Sequence, residues 1–180
     1  MDQRQIIPQL YARKVTNRPE MIGGEFGYPN TGNVFNRHTF VVLTAGVLAA
    51  LATDAVLSCG LCLDASTTVT KATPPDNMLG GKHFPVNLEG QRFAISVTDA
   101  AGNFGEANGA PQMSEVGIGE KYGIIKLADG NHALNVDNTT NDFFVVVEKP
   151  SQWNGIAQGA NAYNPVVIVE VISAAQQHVG

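Results

Sequence analysis

A chain of 180 residues, 44% of them hydrophobic, is long enough to bury one sizeable core, or a core with a small satellite, and too apolar for a disordered protein. Only 15% of the residues are charged, against about 25% in an average soluble domain, and 19 are glycine, a composition that fits a chain hiding part of its surface in an assembly. The net charge of −5, with no basic stripe and no interleaved aromatics, argues against a nucleic-acid-binding surface.

The charge is unevenly placed. Residues 1–38 carry five basic side chains (Arg4, Arg13, Lys14, Arg18, Arg37) against three acidic ones (Asp2, Glu20, Glu25). The remainder carries six against thirteen, so a +2 arm precedes a −7 body. Breakers crowd this arm: Pro8, Pro19, Gly23-Gly24, Gly27, Pro29-Asn30 and Gly32. It reads as an extended arm or a set of surface loops, with one short strand near residues 9–15. Its basic residues are either simply solvated or laid on an acidic partner surface. The start of the chain lacks the apolar core of a secretory signal. The longest apolar run, residues 40–52, falls short of the roughly twenty residues that span a bilayer, so no membrane role is expected.

Residues 39–66 are open to either helix or strand. Phe40-Val41-Val42-Leu43 favours strand by β-branching, and the alanines of residues 47–52 favour helix. Breaks at Gly46, Thr53-Asp54 and Gly60 decide for three short strands of a small barrel-like β unit. The last of these covers residues 55–63 and holds both cysteines, Cys59 and Cys62. A redox CxxC needs a helix N-terminus after a strand, and zinc needs two further ligands, whereas the four histidines lack a paired spacing. Two buried thiols in a chain made in a reducing cytoplasm are the expectation.

From residue 67 to 90 the pattern lapses into Pro74-Pro75-Asp76-Asn77 and Gly80-Gly81, a long loop or linker that separates the small unit from a main domain over residues 91–180. That domain opens on residues 92–98, where Phe93, Ile95 and Val97 alternate with Ala94, Ser96 and Thr98, a half-buried strand. A Gly/Asn-rich excursion over residues 99–109 follows. Three apolar runs come next, residues 122–127, 132–136 and 143–147. They are separated by Asp129-Gly130-Asn131 and by residues 137–142, and the pattern predicts an antiparallel meander. A loop over residues 150–165 holds Trp153, the single tryptophan, and residues 166–172 form the last strand. Residues 173–180 are polar and expected to fray. The predicted fold is all-β: a β-sandwich or barrel, jelly-roll-like in the main domain, with a small N-terminal β unit and an extended arm.

No residue pattern declares a chemistry. Glu115 with Glu120, and Asp137 with Asp142, lie at turns where carboxylates are commonly solvated or capping. Asp99 with Asn103, and the Asp137–Asn138–Asp142 cluster, lack the ligand spacing of a calcium loop. Gly102, Gly105 and Gly109 lack the Lys-Ser/Thr of a phosphate cradle, and Gly117-Ile118-Gly119 reads as a turn. His132 is mid-strand and His83 in a loop, as satisfied or exposed side chains rather than ligands. Ser58 and Ser114 have no nucleophile-elbow context. No catalytic residue, cofactor or metal is expected. Trp153 and Tyr163 either anchor a partner or stack on a sugar, or else fold over their own core.

In texture, Phe40-Val-Val-Leu-Thr-Ala-Gly-Val-Leu and Asp54-Ala-Val-Leu-Ser-Cys-Gly-Leu-Cys-Leu-Asp-Ala-Ser66 resemble the head decoration (cement) proteins of tailed bacteriophages. The strands at 92–99, 122–147 and 166–172 are similar in cadence to the β-rich second halves of such proteins. The resemblance spans residues 40–172 and contains no diagnostic motif. It implies a structural virion protein, made in the host cytoplasm. Such a protein binds the outer capsid surface in many copies where major capsid proteins meet, and pairs with itself as a dimer or trimer, with no direct nucleic-acid or membrane partner. On chemistry and position, the contact residues are Arg13, Lys14, Arg18 and Tyr28 in the arm and Trp153 and Tyr163 in the loop. The alternatives are a carbohydrate- or receptor-binding β module of a phage fibre or spike, using Trp153 and Tyr163, and a cupin-type enzyme. The latter needs ligands on neighbouring strands that an isolated His132 does not supply.

Overall fold

The computed structural model describes residues 28–29, 35–44, 47–63, 85–104, 113–150 and 166–177. Their regular elements are nearly all strands, with almost no helix, so the described fold is all-β. Four short strands, β1 (Tyr28–Pro29), β2 (Thr39–Thr44), β3 (Val47–Ala50) and β4 (Gly60–Cys62), form an open sheet in the order β1-β3-β2-β4. Five more, β5 (Arg92–Thr98), β6 (Lys121–Lys126), β7 (His132–Asn135), β8 (Phe144–Glu148) and β9 (Val166–Val171), close into a barrel in the order β5-β7-β6-β8-β9. The expected arm strand near residues 9–15 lies outside the described residues.

The ambiguous segment is strand, as its breakers required, but its strands make an open sheet and not a barrel of their own. β2 pairs antiparallel with β3 and β4, and its side chains alternate between two clusters. Phe40 and Val42 join the barrel core, while Val41 and Leu43 pack with Phe35, Leu48, Cys59 and Cys62. The strand expected over residues 55–63 is shorter: only Gly60–Cys62 pairs as one, and Ser58 bridges to Gln176. A Cβ on Gly60 would collide with Cβ of Pro85 and lie 2.7 Å from the Val86 carbonyl oxygen, so the glycine lets residues 85–86 run against β4.

In the barrel the three apolar runs and both turns fall where the sequence puts them, with Gly130 at φ 86° in the β6–β7 turn. The meander does not form. β8 pairs with β6 rather than with its predecessor β7, because the connection from β7 crosses β6. Gly123 makes that crossing possible: its N–H donates to the Asn138 carbonyl at 2.7 Å, and a Cβ there would lie 2.5 Å from Asn138 Nδ2. The displaced β7 pairs in parallel with β5, and β9 closes the barrel antiparallel to β5 across five residue pairs, Arg92↔Glu170 through Ser96↔Val166. β5 is buried on both faces, not one. Phe93, Ile95 and Val97 fill the core, and the opposite face carries small residues, Ala94, Ser96 and Thr98, which neighbouring chain can cover closely.

The strand directions define two ends. β5, β7 and β8 run one way, β6 and β9 the other. The first residues of β5, β7 and β8 therefore gather at one end with the last residues of β6 and β9. The open sheet caps this end. Phe40 makes edge-to-face contacts with Phe93, Phe143 and Phe144 at ring centroid distances of 5.5, 5.6 and 5.5 Å, so sheet and barrel share one core. Nor do residues 173–177 fray: Ala175 is buried, Ser58 N–H donates to the Ala175 carbonyl at 2.8 Å, and Gln177 N–H to that of Ser58 at 2.7 Å.

Candidate functional site

Two places bring chemically capable side chains together. One is the joint between sheet and barrel. His132 opens β7, and its ring is fully buried. Nδ1 accepts the Phe40 N–H at 3.3 Å, and Nε2 lies 3.0 Å from the Leu51 carbonyl oxygen, so the hydrogen sits on Nε2. Burial lowers the imidazole pKa to about 4; the Leu51 hydrogen bond partly opposes the shift and Lys126 adds to it. Around it, Asp54 N–H donates to the Ile124 carbonyl, Lys126 N–H to Thr53 Oγ1, and Asn36 Nδ2 to the Asp129 carbonyl, all between sheet and barrel segments.

The other place is the opposite end of the barrel, where β5, β7 and β8 finish and β6 and β9 begin. Asp99 follows β5 and Asp137 follows β7; Ala100 N–H ties them by donating to Asp137 Oδ2 at 2.8 Å. The Asp99 carboxylate accepts the main-chain N–H groups of Ala101 and Asn103 and the Asn103 side-chain amide, at 2.8–2.9 Å. Burial works to raise its pKa, but those hydrogen bonds outweigh it and hold the carboxyl below the usual 3.8. At the start of β6, Tyr122 donates its hydroxyl proton to Glu120 Oε2 at 2.6 Å and accepts the Gly117 N–H at 3.0 Å. Burial, then the carboxylate, raise this phenol above its usual 10. Ile118 on the same rim is 65% exposed. Lys149, just past β8, donates to the Val116 carbonyl at 2.6 Å.

The sequence-predicted contact residues Arg13, Lys14, Arg18, Trp153 and Tyr163 lie outside the described residues, and of Tyr28 only its place in β1 is described. The loop bearing Trp153 and Tyr163 starts after Pro150 and ends before Val166, and both flanks stand at the acidic end of the barrel. His132 is a satisfied core histidine, one of the two settings, satisfied or exposed, that the sequence left open. Cys59 and Cys62 are both buried, in the second cluster. Asp99 and Asn103 join, but as a turn in which the carboxylate serves its own backbone. Sequence reading missed the Gln177 contact with β2 and the Asp54–Asn138 hydrogen bond; both cross more than eighty residues of chain and leave no local signal.

Among the described residues, no three His, Cys, Asp or Glu side chains converge to hold a metal ion. None of the described helices is long and apolar enough to cross a membrane. Comparison with protein-family models finds no match, and comparison with curated proteins finds none either. What the fold defines is an architecture: an all-β arrangement in which a small sheet packs on one end of a closed barrel.

Proposed function

We propose that this chain is a non-catalytic structural protein of a tailed-phage virion, a decoration subunit that binds the outer capsid surface and strengthens contacts between major capsid proteins. The observation that carries the reading is how the reactive-looking groups are spent. Both ring nitrogens of His132, the Asp99 carboxylate, the Ser58 hydroxyl and the Tyr122 phenol all bind the chain's own backbone or neighbouring side chains. Such a protein acts through its outer surface. The divided charge, a +2 arm and a −7 body, and the texture of residues 40–66 support attachment to several neighbours at once, where individually weak contacts add. Self-association as a dimer or trimer multiplies them further. The proposal uses the barrel as its scaffold; a jelly roll asks for eight strands, and the described part of residues 91–180 supplies five.

A second reading, a glycan- or receptor-binding module of a fibre or spike, draws on the position of the Trp153 loop, whose flanks share one rim with the exposed Ile118. Copy counting by mass spectrometry of purified virions separates the two. Hundreds of copies per particle, with added protein raising the melting temperature of expanded capsids, support decoration. A dozen copies or fewer, with a glycan-array signal lost in Trp153→Ala, support the fibre. No copies in virions overturn both.

A further inference from the structure

We propose that His132 is an acid-sensitive joint: protonation of its ring releases the four-stranded sheet from the end of the barrel while the barrel itself stays closed. The geometry is specific. The ring sits on β7, yet both of its nitrogens bind main chain of the other unit, Nδ1 at Phe40 and Nε2 at Leu51. Neutral imidazole with its hydrogen on Nε2 satisfies both. A proton added at Nδ1 faces the Phe40 N–H donor to donor, and leaves that N–H buried with no acceptor. The residue so disturbed is Phe40, whose side chain plugs the barrel among Phe93, Phe143 and Phe144.

Among the described residues, the surroundings offer the new charge no counter-ion. β5 and β8 present phenylalanines. β6 presents Lys126, which pairs with His132 in the ladder and repels a second positive charge. Asp129 in the β6–β7 turn is engaged with the N–H of Asn131, Asp54 in the β3–β4 link with the Asn138 amide, and Arg37 ahead of β2 with the Leu63 carbonyl. By contrast, the ladders that close the barrel use only backbone and involve no imidazole.

The direction follows from linkage. Burial holds the ring near pKa 4, whereas a ring freed into water returns to about 6.5. The released form binds the proton more tightly. Its population relative to the docked form therefore rises about tenfold per pH unit between about 6.5 and 4, roughly 300-fold in all, and no further below that.

Amide hydrogen exchange by NMR on the full chain tests this, with opening constants corrected for intrinsic exchange. In the wild type, the Phe40, Asp54 and Lys126 amides, whose acceptors lie across the joint, lose protection along that slope while Val169 on β9 does not. In His132→Gln, whose amide oxygen and nitrogen can replace Nδ1 and Nε2 without titrating, the slope is absent. A flat wild type, an equal slope in the variant, or Val169 opening together with Phe40 overturns the proposal. Should the variant not fold, the imidazole ¹⁵N shifts of the wild type decide. Ring protonation that tracks the loss of Phe40 protection supports the joint, and protonation that leaves Phe40 protected refutes it.

Discussion

The side-chain amide of Gln177 closes both main-chain groups of Leu43. Leu43 N–H donates to Oε1 at 3.2 Å, and Nε2 donates to the Leu43 carbonyl at 2.9 Å, across 134 residues of chain. β4 pairs with β2 only from Thr39 to Val41, so Leu43 faces a side on which the sheet has ended. Gln177 supplies there what a strand residue would, and carries the end of the barrel's last segment onto the sheet. Gln177→Ala removes two hydrogen bonds and strands two half-buried backbone groups, which costs about 1–3 kcal/mol. Urea denaturation measures it. Gln177→Glu keeps the acceptor, loses the donor and recovers part of the loss; full stability in Gln177→Ala contradicts the clasp.

The strands of the barrel were legible because their signals are local. The runs at 122–127, 132–136 and 143–147 are largely apolar, and the clusters between them carry the residues that turns require. Their pairing was not legible. Whether β8 lies beside β7 or beyond β6 depends on where the connection over residues 136–142 crosses, and that is a contact between distant segments. One trace of it stood in the sequence: Gly123 interrupts a strand, the mark of a close backbone approach. His132 was readable only as a satisfied or exposed side chain; its partners are 92 and 81 residues away, and no spacing rule reaches them. The acidic end of the barrel was legible only as turns. That Asp99 and Asp137 share one rim follows from the parallel pairing of β5 with β7.

Phe40 is the largest contribution of the sheet to the shared core. Its ring is fully buried and meets three other aromatic rings edge to face. Phe40→Ala leaves a cavity where sheet and barrel meet and destabilises by about 3–5 kcal/mol, with Phe40→Leu costing less. Chemical denaturation gives the size. Exchange protection shows where the loss falls, and the sheet amides are expected to open before those of β9.

Thr39 runs the other way. It starts β2, is fully buried, and among the described residues its hydroxyl oxygen has no hydrogen-bond partner. Valine has the same shape with a methyl in place of the hydroxyl. Thr39→Val therefore removes a desolvated polar group and stabilises the fold by about 1 kcal/mol, a shift of a few degrees in Tm. Thr39→Ser keeps the hydroxyl, loses a methyl and destabilises. If both substitutions destabilise, the hydroxyl has a partner in solution.

Asp99 gives a second pH dependence, in a different window from His132. Hydrogen bonds from Asn103 and Ala101 overcome the effect of burial and hold its folded pKa below 3.8, the value to which the unfolded chain returns. A carboxyl with a depressed folded pKa binds protons more weakly in the folded state. Its contribution is complete above about pH 4 and is lost as the pH falls through the folded value. Asp99→Asn removes that titration along with one charge, and its amide cannot accept all the donors the carboxylate accepts. The variant is therefore less stable at pH 7, and the difference from wild type narrows as the pH drops below 4. Urea midpoints measured from about pH 2.5 to 7 show the convergence. Parallel curves across that range mean that the carboxylate is equally well solvated with the turn formed or broken.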